Sequence, residues 1–312
     1  TIPPYGRQFR IMSKKHQEWE LAGLLEALGE TAPHESWLAG LTGWPEELVR
    51  AVLRELARKK LIHLENGWIR REPWPESLAA AVREALPRME PDDAEQGMFA
   101  FFRFKALDRP LDALEALIEL GRNLAEKGRR LELRLLYHIY MDEMLKIRLR
   151  ALSDTEAERY FALCHDAFQL SLCVSVECGR LITVLFRGRG LARLHGNRVQ
   201  AHLHALLIGA ANCLEHSRHN TMRFHAMMEH ALTVLQQSEE YLLQGYPLPV
   251  GIYFFMQGKF RRAIDTLLPE SVNISGWPET HSRTHRYILA SLAAFFLGES
   301  DEAIETLRQA LR

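Results

Sequence analysis

Residues 251–312 constrain this 312-residue chain more than any other stretch, because one pattern occurs there twice. GIYFFMQGKFRRAIDTL (251–267) aligns on SLAAFFLGESDEAIETL (291–307). Gly251 falls over Ser291, Phe254 over Ala294, Gly258 over Gly298, Ala263 over Ala303 and Leu267 over Leu307, every pair 40 residues apart. A fixed period of about 20–50 residues marks a chain of stacked units, none of which can bury its apolar face alone. Such a chain offers an extended surface rather than a pocket inside one core.

Composition narrows the class further. With 39 basic and 40 acidic residues, the formal net charge of −1 gives no global field toward nucleic acid or anionic lipid. The longest apolar run, Ala205 to Leu214, is about half the ~20 residues of a membrane-crossing helix and contains Asn212. Cys164, Cys173, Cys178 and Cys213 lie in helical, apolar-rich sequence without a paired framework, which points to reduced thiols and a cytoplasmic setting. The opening TIPPYGRQFRIM has no initiator Met, basic n-region or apolar h-region, so it reads as a chain cut from a longer protein rather than a signal peptide.

In chain order, residues 1–15 read as a connector, broken by Pro3-Pro4 and Gly6. From 16 to 75 the spacing predicts three short helices and a hairpin. Leu21, Leu24, Leu25 and Leu28 form one stripe; Trp37, Leu38 and Leu41 form a second, closed by Gly43. The third starts near Pro45, carries Val49, Val52, Leu53 and Leu56, and ends in Arg58, Lys59 and Lys60, where cations suit the helix dipole. Asn66-Gly67 between Leu61–Leu64 and Trp68–Arg70 is a strong two-residue hairpin signal. From 76 onward the chain reads as helices: 78–86, a pair in 98–128 turning at Asp108-Arg109-Pro110, then 131–150, 154–170, 172–187, 199–215 and 222–243. Arg187-Gly188-Arg189-Gly190 reads as a linker between two of these, and no strand is expected after residue 72.

Three helices with a two-stranded wing resemble a winged helix-turn-helix, most closely over LAGLTGWPEELVRAVLRELARKKLI (38–62). The closing pairs resemble tetratricopeptide repeats. That resemblance implies that Gly251, Ala263, Ser291, Ala303 and Ala310 sit where helices cross, that Gly258 and Gly298 make the turns, and that the loop 271–280 absorbs a period longer than the family's. The expected fold is mainly α: a winged helix at 16–75 followed by an α-solenoid of irregular tetratricopeptide-like pairs at 76–312. This domain order is similar to the carboxy-terminal arm of signal-transduction ATPases with numerous domains (the STAND class), bacterial regulators in which a nucleotide-binding domain precedes the winged helix. The resemblance implies a non-enzymatic sensor and interaction module. Its array would bind a protein partner or small effector, and its winged helix would act as an adaptor toward the nucleotide-binding domain of the same polypeptide. Any ATP chemistry would lie upstream. The alternatives are a DNA-binding regulator and a free-standing tetratricopeptide scaffold.

The candidate sites follow from this. Gln257, Arg283 and Arg286, on first helices of repeats, are candidates for a partner groove. Arg58, Lys59, Lys60, Arg70 and Arg71 could touch a nucleic-acid backbone, although residues 16–72 hold ten glutamates against seven Arg and Lys, and the third helix opens Pro45-Glu46-Glu47. His195, His202, His204, His216, His219, His225 and His230 crowd one stretch, and Cys213/His216 are spaced i, i+3, but no ligand-pair motif accompanies them, and no metal is expected. Cys164-His165-Asp166 are adjacent and point apart on a helix, so they form no triad. No phosphate loop, nucleophile elbow or dinucleotide fingerprint is present, so no catalytic residue and no cofactor is expected. The array is expected to continue beyond Arg312 or to be capped by another segment.

Overall fold

The computed structural model describes residues 14–27, 33–71, 98–174, 178–214, 221–238, 240–268 and 279–310. Of the expected connector 1–15, residues 1–13 lie outside the described residues and Lys14 and Lys15 instead open the first helix; the expected helix 78–86 and most of the loop 271–280 also lie outside them. The chain divides into two compact units, Thr1–Leu120 and Gly121–Arg312.

The first unit opens with α1 (Lys14–Ala27), α2 (Glu35–Thr42) and α3 (Glu46–Arg58), then the antiparallel strands β1 (Ile62–Glu65) and β2 (Trp68–Arg71). Each break has a local cause. Gly43 ends α2 with φ 70°, and Asn66 (φ 51°) with Gly67 (φ 81°) closes the hairpin where that dipeptide predicts it. Pro33 and His34 flank β2 as well: the Ile69 amide donates to the Pro33 carbonyl at 2.9 Å and the Glu35 amide to Gly67 at 2.8 Å. Leu21, Leu24, Leu38, Leu41, Val49, Leu53, Ile62 and Ile69 form the core. This unit runs past residue 75, because α4 (Met98–Ala106) packs on α1 and α2 with Met98 and Phe101 fully buried. The helix α5 (Pro110–Glu126) carries the boundary at 120.

The second unit is helical throughout its described residues. It comprises α6 (Arg130–Lys146), α7 (Asp154–Val174), α8 (Gly179–Leu194), α9 (Arg198–Leu214), α10 (Thr221–Ser238), α11 (Pro247–Met256), α12 (Phe260–Leu267), α13 (Glu279–Phe296) and α14 (Ser300–Ala310). Short 3₁₀ turns lie at Leu149–Ala151 and Glu240–Gly245. Most packing joins neighbours in sequence, as in an α-solenoid, although α13 also reaches α7. Helix boundaries depart from expectation twice. Residues 154–174 form one helix where a break near 170 is expected. The Arg187–Gly190 run is not a linker but lies inside α8.

One turn recurs through the chain. At Gly258 the amide bonds back to Phe255 and the next amide, of Lys259, to Phe254; at Gly298 the bonds run to Phe295 and, from Glu299, to Ala294. This is the double bond of a Schellman cap, and it needs a left-handed residue, here φ 69° and 82°. Asp108, Gly128 and Gly196 make the same pair of bonds with φ 53°, 66° and 66°. In each case the residue after the left-handed one caps the next helix with its carbonyl, accepting from Ala113, Leu133, Ala201, Ala263 or Ala303. Those five acceptors' partners are all buried. Four of the five are alanine, which lets two backbones meet just past the turn.

The turn geometry sets a test. Gly298→Val should destabilise by about 1–3 kcal/mol, the cost of a strained left-handed residue. Gly298→Asn should cost a few tenths of that, since short polar side chains tolerate this region, as Asp108 does. Thermal unfolding curves in which the valine variant matches the parent would overturn the assignment.

Candidate functional site

The last two helix pairs show how close the helices come. A Cβ on Gly251 would lie 2.4 Å from the Leu267 side chain, so only glycine admits that leucine. One period later Ser291 is buried and donates its hydroxyl to the Ala303 carbonyl at 2.7 Å, so its polar atom is satisfied. Between the pairs, Phe260 stacks on Phe296 (ring centroids 5.2 Å apart) and Phe255 meets both.

The second copy of the pattern differs from the first in what covers it. Ile264 and Leu267 on α12 are 6 % and 0 % exposed, beneath α13; their counterparts Ile304 and Leu307 on α14 are 51 % and 43 % exposed. Likewise Leu248 and Ile252 are buried while Ile288 and Leu292, one period on, are open, and Phe295 stands out at the surface. The α13–α14 pair therefore presents an apolar face whose counterpart on α11–α12 is covered.

The expected groove residues separate. Gln257 is half-buried at the end of α11, donating to the Tyr253 hydroxyl at 3.0 Å beside His225, whose ring stacks on Tyr253. Arg283 is exposed, its guanidinium 5.1 Å above the Tyr287 ring. Arg286 is no surface residue: it is 1 % exposed and donates to the Leu267 carbonyl at the end of α12. Spacing alone put it on a groove; burial puts it between helices.

In the first unit the cations are largely engaged. Arg58 pairs with Glu55 at 2.5 Å and Lys59 with Glu18. Lys60 is exposed in a left-handed conformation, and Arg70 is exposed on β2. Arg71 pairs through its backbone with Ile62; its side chain lies outside the description. Arg50 bonds Glu35 and Glu46, and Glu46 and Glu47 stand exposed in the first turn of α3.

The interior of the second unit explains the Arg-Gly run and part of the histidine cluster. Arg187 donates to the carbonyls of Met144, Leu145 and Ile147, satisfying the end of α6. Gly188 lies where α8 crosses α9: a Cβ there would sit 2.5 Å from His204 Nε2 and 3.0 Å from Cys164 Sγ. His204 is fully buried; its Nδ1–H donates to the Gln200 carbonyl, a group that can only accept. Its ring lies 5.3 Å from that of His165, which shares a 2.7 Å hydrogen bond with Tyr246. Burial, and then the neighbouring His204, hold the His165 pKa down at about 3; burial holds His204 at about 4, opposed by the Gln200 carbonyl. Burial also pushes the Cys164 thiol well up, so it stays protonated, while Asp166 accepts from Arg122 at 2.9 Å. Cys164, His165 and Asp166 thus serve three different contacts. His202 meets His230 and His195 bonds Asp154; His216 and His219 lie outside the described residues. Among the described residues no three His, Cys, Asp or Glu side chains gather as metal ligands would, and no helix is long and apolar enough to cross a membrane.

Comparison with protein-family models, curated proteins and solved structures finds no match to this chain.

Two outcomes follow from this geometry. The two buried histidines fold neutral with pKa values below their ordinary 6.5, so their contribution is complete above pH 6.5 and is lost as pH falls toward 4 and 3. Each should cost about 2 kcal/mol between pH 6.5 and 5. Stability measured by denaturant titration should fall over that window, less steeply in His204→Gln; a flat profile would contradict the burial. Second, Ile264→Ala should cost about 2–4 kcal/mol while Ile304→Ala stays within about 0.5 kcal/mol. Equal losses would show that the α14 face is covered.

Proposed function

We propose that this chain is a non-enzymatic interaction and sensor module: a winged helix followed by a tetratricopeptide-like array that binds a protein partner or a small effector. The observation that carries the reading is the recurrent turn at Asp108, Gly128, Gly196, Gly258 and Gly298, with its left-handed residue and a buried residue five positions on that is alanine in four of the five. Helix pairs joined this way stack side by side and expose long lateral surfaces, which suits binding better than chemistry. The open α13–α14 face supports the same reading, because its counterpart one period earlier accepts a helix. Three helices, an antiparallel hairpin and the bonds from 33–35 to the hairpin support the winged helix. In this reading the winged helix is an adaptor toward a nucleotide-binding domain of the same polypeptide, and ligand on the array shifts the balance between a closed and an open, oligomerising form.

The adaptor role is favoured over DNA binding by charge. The turn of α3 that would reach base edges is acidic, and Arg58 and Lys59 already have carboxylate partners. Anisotropy titrations of duplex DNA over a salt series should give only weak association, with a Kd no tighter than about 1–100 μM at physiological salt, the range of non-specific binding. Sub-micromolar, salt-dependent binding lost in Arg70→Ala/Arg71→Ala would replace the adaptor with a DNA-binding regulator.

A further inference from the structure

The histidine-rich stretch and the Arg-Gly run converge on a surface that their structural roles leave unexplained. Helices α8, α9 and α10 together carry one carboxylate side chain, Glu229, in a chain with 40 acidic residues. Glu229 is spent on Tyr253, whose phenol it holds above its ordinary pKa, after burial. Of the cations, Arg180 pairs with Asp142, Arg187 caps α6 and His195 bonds Asp154. Of the rest, Arg223 is exposed on α10, Arg189 and Arg193 lie four apart on one face of α8, and Arg198 and His202 lie four apart on one face of α9.

Two contacts bring these faces together on α10. The His202 ring lies 5.3 Å from that of His230, and Arg189 Nη1 lies 3.0 Å from Met227 Sδ, with Met227 and His230 three apart on one face. The thioether is a poor acceptor for a guanidinium, and Arg189 Nε is covered with no hydrogen-bond partner. A partly desolvated guanidinium without an anion costs free energy that a bound anion returns. Burial first, and then every charged neighbour acting on His202 (His230, Arg189, Arg193 and Arg198), opposes its protonation, so like charges meet around that ring.

We propose that Arg189, Arg193, Arg198, His202 and His230 form a binding site for the phosphate group of a small molecule, across α8, α9 and α10. Arginine forks match phosphate oxygens with paired donors, and the imidazoles add further donors. This names the effector class for the array and rests on the reading of that array as a sensor. The two are tested separately, because Arg70 and Arg71 belong to the other unit.

The test is calorimetric titration of the full chain with inorganic pyrophosphate at low ionic strength, with duplex DNA as a second arm. Saturable binding at one site is expected at about 1 mM or tighter, weakening about tenfold or more in each of Arg189→Gln, Arg193→Gln and Arg198→Gln. Arg70→Gln should leave it unchanged. Arg193 and Arg198 are exposed, so their variants keep the fold, which circular dichroism checks. Non-saturable binding, or binding that survives all three substitutions, overturns the site. DNA binding tighter than pyrophosphate and lost in the same variants assigns the patch to a nucleic-acid backbone and overturns the small-molecule proposal.

Discussion

Five junctions of the helical part depend on one backbone constraint: the helix ends on a left-handed residue that leaves room for the next helix to start at once. At Asp108, Gly128, Gly196, Gly258 and Gly298 the same two amides close one helix while the next residue's carbonyl opens another. No linker intervenes, and at Gly196, Gly258 and Gly298 the two helices so joined pack on each other, with the residue five places on buried. Alanine at 113, 201, 263 and 303 follows from that geometry rather than from helix propensity.

Close crossings then decide what the interior can hold. Gly251 yields space to Leu267, Gly188 to the His204 ring and Gly209 to the Met228 side chain. Polar groups drawn into these contacts are answered individually: Ser291 by a carbonyl, Arg187 by the end of α6, His204 by Gln200. Keeping His165 and His204 neutral is the condition for burying them, which ties the folding of the second unit to pH more tightly than its near-zero net charge implies.

The sequence was most informative where one signal acted alone. Asn66-Gly67 placed the hairpin, and the Gly258/Gly298 pair placed the last turns, since glycine there answers a φ that other residues resist. Period does not reveal the earlier turns, because 108, 128, 196 and 258 are unevenly spaced; the turn at Asp108-Arg109-Pro110 is legible instead from its own residues. Arg187–Gly190 misled for a related reason: glycine reads as a break, but Gly188 is required by the ring across from it and stays helical. The candidate site was legible only as composition. The histidine crowd was visible, yet its division into a buried pair and a surface cluster with Arg189 depends on which helix face each residue takes. Arg286 shows the limit most clearly, since spacing cannot separate a groove from a crossing.

Arg286 has a further consequence. A stack of similar helix pairs can slip, because apolar faces of like shape accept one another in several alignments. Burying a guanidinium beside the Leu267 carbonyl ties α13 to the end of α12, because the same charge buried away from an acceptor costs several kcal/mol. The contact thereby favours the alignment in which that carbonyl is present, a preference that uniform hydrophobic packing does not supply.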